Sequence, residues 1–409
     1  MINALVDTLE GQIRLKDFKL NSLLDITTAI NSNQDVEQIM RLFEFIVKEQ
    51  VGCNKFVLFN RQDDWNCLLR VGYKGKVDDI NVKEELHRFK EITFLESSHS
   101  SLLNDFDTII PVFHKEIPLA YLLIKGLGND EHEKEERKYL SFIQTLTNII
   151  VVAIENKRMV KIDIKQERLK KELEVASVMQ QMLFPQDLPT NKSMDISAKY
   201  KPRHEVGGDY YDFIPLEDDK YIICIGDVSG KGVSAAMLMA NFQATIRTLF
   251  QYQKFDMKLM LEELNKVVMN NAKGEKFITF FVAVYDANTR KMEYVNAGHN
   301  YPFLIDGKDV IDLDQGCIGL GMLDELPFIN IGEKELKPNT TLILYTDGVV
   351  ELENESEEFF GTDRLVKIVK NYYPLGMDDL NSLIFSKLDE WKGPLELVDD
   401  TAIFSCRFF

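Results

Sequence analysis

Apolar residues recur along this chain with a helical period in some stretches and a strand period in others, and the changes between them outline its organisation. Ile2, Leu5, Leu9 and Ile13 are spaced for a short N-terminal helix over residues 1–20, interrupted at Gly11. Leu20, Leu23, Leu24, Ile26 and Ile30 predict a further helix, broken by Asn31-Ser-Asn-Gln-Asp35, and Val36, Ile39, Met40, Phe43, Ile46 and Val47 predict the next. Lys55–Phe59, Trp65–Val71, Thr108–Phe113 and Leu119–Ile124 are rich in β-branched and aromatic residues and read as strands. A long helix then runs from about Glu133 to Arg158, with Leu140, Ile143, Leu146, Ile150, Val151 and Ile154 on one face, and continues to about Phe184, where Pro185 stops it. Ile162, Leu169, Ala176 and Leu183 lie seven apart, a period that predicts a parallel coiled coil and hence a homodimer. Lys165, Gln166, Glu172 and Gln180 intrude on that seam, so the competing reading is a single solvated linker helix.

Pro185, Pro189 and Pro202 carry an extended segment into a second alternation of strands and helices. Tyr210–Ile214 and Tyr221–Ile225 read as strands, followed by helices over 233–250 and 256–271. Phe277–Tyr285 and Lys291–Val295 form a hairpin across Asp286-Ala-Asn-Thr-Arg290, and Thr340–Tyr345 is a further strand. Helices over Thr362–Tyr372 and Met377–Trp391 precede a closing strand, Thr401–Phe409. The pattern gives four parts: an N-terminal helix (1–20), a mixed α/β domain (21–155), a helical linker (156–189) and a C-terminal domain (190–409).

Composition narrows the function. The 409 residues suffice for two or more domains with cores of their own, and 45% hydrophobic with 28% charged residues is ordinary for a soluble globular protein. A net charge of −18 argues against nucleic acid as a main partner and against a polybasic hold on anionic lipid. The five cysteines are scattered without a CxxC pair, which suits a reducing cytoplasm and offers neither a disulfide framework nor a zinc site. Cys53, Cys67, His87, His99, His114 and His132 read as core or surface residues rather than ligands. No basic stretch followed by an apolar core opens the chain, and the longest greasy run, Ile149–Ile154, is too short to cross a bilayer. A cytoplasmic protein without a membrane segment is expected.

The chemistry lies in acidic residues at strand ends. Asp209 follows two glycines, and Asp227 stands between Gly226 and Val228 where a strand ends. Asp347-Gly348 directly follows an apolar strand, and Asp399-Asp400 opens the last one. Any one of them alone is explained as a turn or a helix cap. Together they imply convergence, and converging carboxylates repel one another unless a cation neutralises them. Oxygen-only ligation favours Mg²⁺ or Mn²⁺ over Zn²⁺, so a binuclear centre is the economical reading.

The motifs Glu205-Val-Gly-Gly-Asp-Tyr-Tyr-Asp, Gly226-Asp-Val-Ser-Gly-Lys-Gly, Asn296-Ala-Gly-His-Asn, Tyr345-Thr-Asp-Gly-Val and Asp399-Asp-Thr-Ala occur in that order. Over about residues 165–409 the chain therefore resembles the PPM metal-dependent serine/threonine protein phosphatases, in particular their bacterial SpoIIE/RsbU branch. The resemblance implies an α+β multidomain protein whose C-terminal part is an αββα sandwich. It implies that Asp209 and Asp227 are metal ligands, with Asp227 bridging both ions and the Val228 carbonyl adding an oxygen, and that Asp347 and Asp399 hold one metal largely between them. Asp400 takes a lesser, polar role, and Asp212 either supports the ligands from behind or caps a turn. His299 is a proton donor or an anchor, or simply closes a strand. Lys231 and Arg203 are candidates to meet an anionic substrate, and Gly316–Gly321 resembles the family's loop after the hairpin.

The implied reaction is hydrolysis of phosphoserine or phosphothreonine by metal-activated water, with two Mn²⁺ or Mg²⁺ ions and no side-chain nucleophile. The implied substrate is a phosphorylated STAS-type antagonist of an anti-sigma factor. Residues 21–155 resemble a GAF sensor domain in element order and in the phrases Ile109-Ile-Pro-Val-Phe and Pro118-Leu-Ala-Tyr-Leu-Leu-Ile, which implies an unidentified small-molecule or protein ligand there. A signal at that domain would pass through the linker to helix 233–250. Two other classes compete: a catalytically silent scaffold, and another metal-dependent signalling enzyme such as a nucleotide cyclase, for which no nucleotide-reading residues are found.

Overall fold

Contacts divide the chain into two units, Met1–Glu167 and Arg168–Phe409. The structure is a computed structural model and describes residues 2–77, 80–95, 103–126, 133–252 and 256–409. His99 and His132 lie outside the described residues.

In the first unit the helices expected on either side of residue 20 are one, α1 (Ile2–Asn31). A Cβ at Gly11 would meet nothing within 4 Å, so the helix runs through it at the cost of its weak propensity, about 1 kcal/mol against alanine. Helix α2 (Val36–Phe45) starts at a reciprocal cap: Asp35 accepts the Gln38 N–H while the Gln38 side chain accepts the Asp35 N–H. It ends in one wide turn, Ile46–Gln50, where the Val51 N–H reaches the Ile46 carbonyl at 3.0 Å.

Strands β1 (Lys55–Arg61), β2 (Trp65–Val71), β3 (Thr93–Phe94), β4 (Thr108–His114) and β5 (Ile117–Lys125) form an antiparallel sheet in the order β2-β1-β5-β4-β3. A short helix, α3 (Val82–Glu85), lies between β2 and β3 in the chain, and α4 (Glu133–Gln181) follows β5. One sheet face, with Phe56, Leu58, Ile110 and Leu122, packs with Ile26 of α1, Phe43 of α2 and Ile143 and Ile150 of α4. The other, with Val57, Phe59, Tyr121 and Leu123, packs beneath Leu86, Phe89 and Leu103. Cys53 is buried in the first of these cores, whereas Cys67, His87 and His114 are exposed.

Helix α4 stops as expected before Pro185, its last turn closed by the Leu183 N–H on the Gln180 carbonyl. The second unit continues with β6 (Met194–Lys201), β7 (Tyr210–Pro215), β8 (Lys220–Val228), α5 (Val233–Tyr252) and α6 (Met257–Ala272). Then come β9 (Ile278–Asp286), β10 (Lys291–Ala297), β11 (Phe303–Asp306), β12 (Asp309–Asp312), β13 (Gly316–Cys317), β14 (Gly332–Glu335) and β15 (Thr340–Tyr345). The chain finishes with α7 (Asp347–Val350), α8 (Thr362–Asn371), α9 (Met377–Lys392) and β16 (Thr401–Phe408).

One sheet runs β13-β10-β9-β8-β7 with β14 also on β10, and the other runs β12-β11-β15-β16-β6. They pack face to face: Tyr211 meets Phe404 and Tyr285 meets Phe408, with ring centroids 6.0 and 4.4 Å apart. On the outer face of the first sheet, Tyr210 and Phe280 meet Phe242 of α5 at 6.5 and 5.0 Å. On the outer face of the second, Ile343, Tyr345 and Ile403 pack with Leu365 and Val369 of α8 and Leu380 and Ile384 of α9. This is an αββα sandwich, the layer order the resemblance implies.

Candidate metal centre

One hairpin, β7–β8, and one long-range antiparallel pair, β15–β16, open at the same end of the sandwich, one from each sheet. The β7–β8 register pairs Tyr210 with Gly226, so Asp209 and Asp227 stand opposite each other one step beyond. The β15–β16 register pairs Tyr345 with Ile403, and the Thr346 N–H continues it to the Ala402 carbonyl at 3.1 Å. Asp347 and the pair Asp399-Asp400 thus flank that second mouth. A hydroxyl links the two strand pairs: buried Thr346 accepts the Ala402 N–H at 2.9 Å and donates to Asp209 Oδ2 at 2.8 Å.

The loop before β7 is fixed as closely. Asp400 accepts the Arg203 N–H on Oδ1 (2.8 Å) and the Gly208 N–H on Oδ2 (2.6 Å). Gly207 leaves no room for a side chain, since a Cβ there would lie 2.0 Å from the Tyr200 hydroxyl and 2.3 Å from Asp400 Oδ2. A Cβ on Gly208 would come within 3.0 Å of the Val228 carbonyl oxygen, which places that oxygen beside the loop carrying Asp209.

Mutual repulsion marks the cluster. Burial, then the charges of Asp227 and Asp400, raise the Asp209 carboxyl well above its ordinary range. Burial followed by Asp347 and Asp399 pushes Asp227 up to about 7, although a hydrogen bond with Asp209 offsets part of the rise. Burial followed by Asp399 and Glu351 pushes Asp347 up to about 6. Asp400 is raised chiefly by burial, against the pull of its two backbone donors. The hydroxyl of Tyr200 is buried with no hydrogen-bond partner, and burial followed by Asp400, Asp209 and Asp227 raises its pKa as well.

A buried set of anions that disfavour one another's charge, with oxygen donors only, fits divalent Mg²⁺ or Mn²⁺. Among the described residues, no group of three or more His, Cys, Asp or Glu side chains stands as a ready coordination shell. The contacts show why. Lys231 Nζ holds Asp399 Oδ2 at 2.6 Å, and both oxygens of Asp400 are taken by backbone N–H groups.

The other candidates divide. Asp212 is fully buried but lies apart from the cluster: Arg247 pairs with both its oxygens at 2.8 and 2.9 Å, the Tyr210 hydroxyl donates to it at 2.6 Å, and it accepts the Phe213 N–H. His299 is buried between the Thr279 hydroxyl, 2.9 Å from Nδ1, and the Tyr345 carbonyl, 3.1 Å from Nε2. Burial lowers its pKa to about 4, so the ring is neutral near pH 7. A carbonyl only accepts, so Nε2 carries the proton and Thr279 donates to Nδ1. The histidine anchors the end of β15, with both ring nitrogens engaged. Arg203 Nη1 and Lys231 Nζ both donate to the Val398 carbonyl, at 2.6 and 2.8 Å, and so bring positive charge to the rim.

Sequence reasoning passed over Thr346, Tyr200 and Gln180. Thr346 read as part of a strand, Tyr200 lies in β6, which the proline-flanked segment concealed, and Gln180 read only as an intruder in a heptad seam. The side chain of Gln180 is buried and bonds both polar groups of Gly207, donating to its carbonyl at 2.7 Å and accepting its N–H at 3.1 Å.

Known proteins resemble this chain. Residues 217–409 match the sequence model of the family described as Stage II sporulation protein E (SpoIIE). Protein IcfG of Synechocystis sp. is 28% identical over 260 residues, 57% of this chain and 41% of that protein. The phosphoserine phosphatase RsbU of Bacillus subtilis is 28% identical over 244 residues, 59% of this chain and 71% of RsbU. The SiaA-PP2C domain of Pseudomonas aeruginosa shares the fold with a TM-score of 0.54 at 23% identity, covering 60% of this chain and 99% of that domain. The match thus spans less than half of IcfG and about seven-tenths of RsbU. The second unit shares the fold of a PP2C domain. Residues 217–409 carry the SpoIIE match, and the chain is similar to RsbU over about three-fifths of its length.

Proposed function

We propose that this protein is a metal-dependent serine/threonine protein phosphatase of bacterial signalling, acting on a phosphorylated STAS-type antagonist. The observation that carries the reading is the convergence of Asp209, Asp227, Asp347 and Asp399, from two antiparallel strand pairs, on one mouth of the sandwich. Asp209, Asp227, Asp347, Asp399 and the Val228 carbonyl would hold a pair of Mn²⁺ or Mg²⁺ ions. Such a pair, when bound, lowers the pKa of a shared water and stabilises charge on a transferring phosphoryl group. Thr346 aims Asp209, His299 fixes the strand end before Asp347, and Asp400 clamps the loop before β7. Lys231 and Arg203 at the rim supply positive charge for an anionic phosphoprotein.

The regulatory part of the proposal assigns residues 21–155 to a GAF-like sensor with an unidentified ligand, and 156–189 to a linker that pairs with a second copy. Two helices, an antiparallel sheet and a long following helix support the first assignment. The exposure of Ile162 and Leu169 on α4, at 40% and 57%, supports the second. Among the described residues no helix is long and apolar enough to cross a membrane. The deciding experiment is phosphate release from a phosphorylated STAS-type protein with Mn²⁺, comparing wild type with Asp227→Ala. Release by the wild type alone supports the reading, and none from either rejects it.

A further inference from the structure

The paired bonds between the end of α4 and the loop before β7 have no part in the chemistry above. The Gln180 side chain acts as a peptide does at a sheet edge, taking one N–H and giving one to the same residue, Gly207. Both bonds are buried, so breaking them leaves polar groups that water does not reach. Gly207 cannot shift sideways, because Tyr200 and Asp400 fill the space where a Cβ would be. The next residue, Gly208, is tied to Asp400, and the one after is Asp209, tied to Thr346. Any displacement of Gln180 is therefore passed along the backbone to Asp209.

We propose that Gln180 is a positioning residue for the metal centre: through its paired bonds to Gly207, the last turn of α4 sets where Asp209 stands and so how tightly the site takes a cation. The inference rests on the phosphatase reading and adds to it a direct route from the linker helix to a ligand, separate from the route through α5. Gln243 of α5 provides an internal control. It is equally buried and bonds the Leu183 carbonyl at 3.2 Å, at the same junction, without touching the metal loop.

The test titrates Mn²⁺ calorimetrically into the metal-free full chain, as wild type, Gln180→Met and Gln243→Met. Methionine keeps length and apolar bulk and removes the hydrogen bonds. The expected result is Mn²⁺ binding weaker by about tenfold or more in Gln180→Met and within about twofold of wild type in Gln243→Met. The rate of phosphate release from p-nitrophenyl phosphate should also need more Mn²⁺ to reach half its maximum, while the rate at saturating Mn²⁺ recovers towards wild type. A merely structural role would lower the melting temperature of both variants without that split. If Gln180→Met does not fold, Gln180→Asn, one methylene too short to reach both groups, answers the same question. Wild-type affinity in a folded Gln180 variant overturns the proposal. Absence of Mn²⁺ binding by the wild type overturns the metal-centre reading beneath it.

Discussion

Asp209 and Asp212 sit three residues apart on one hairpin, and both are almost fully buried, yet they belong to different kinds of chemistry. Asp212 faces the guanidinium of Arg247 and donors from Tyr210 and Phe213, so its charge is matched inside the protein. Asp209 faces Asp227 and Asp400, and one threonine hydroxyl is the only donor on it among the hydrogen bonds of the described residues. The first is a finished interaction that holds α5 to β7. The second is unfinished and calls for positive charge from outside. Burial alone does not mark a functional carboxylate; what distinguishes it is the lack of a counter-charge.

Replacing members of the two sets should break this contrast in opposite directions. The largest effect is expected from Asp227→Asn, which should lower Mn²⁺-dependent phosphate release at least about a hundredfold. The same change removes a repelling charge, so the metal-free variant should melt above the metal-free wild type. A lower melting temperature in EDTA would show that the carboxylates do not repel. Next comes Arg247→Met, which strands Asp212 in the core and should cost about 3–5 kcal/mol in urea unfolding. A loss below about 1 kcal/mol would mean that Asp212 is not a matched pair.

The acidic cluster should also make metal-free stability depend on pH. Asp227 and Asp347 are raised to about 7 and about 6 in the folded protein, above their ordinary value of 3.8. Between the ordinary and raised values the native state binds more protons than the unfolded one, so their contribution is full at low pH and lost as pH rises through about 6 and 7. Melting temperatures in EDTA should therefore decline across that window, and Mn²⁺ should restore them. A flat profile would contradict the repulsion. The smallest effect is expected from Lys231→Met. An exposed ion pair contributes about 0.2–1 kcal/mol, so freeing Asp399 should tighten Mn²⁺ binding by no more than about fivefold. Weaker binding would instead make Lys231 an organiser of the site.

Much of this was legible in the chain because the signals were local. Asp227 and Asp347 each follow a run of β-branched or aromatic residues, and the longer helices carry a clear period. The missing strands were short, as β11 to β14 are, or disguised: β6 alternates Met194, Ile196, Ala198 and Tyr200 with polar residues but begins amid prolines. Partners across the fold left no local mark. Nothing beside Asp212 announces Arg247, thirty-five residues on, and nothing beside Gln180 announces Gly207. The near identity of Asp209 and Asp212 as letters hid their opposite surroundings, which only the register of β7 on β8 and the docking of α5 decide.

Thr346 gives the mouth of the sandwich a sense of direction. Its oxygen receives the Ala402 amide proton, and its own proton goes to Asp209 Oδ2, so the relay from one sheet to the other runs one way. That commits Oδ2 as a receiver. Valine at this position would match the shape but erase the polarity, whereas serine would preserve it. The sense of that relay is thus written into the strands themselves.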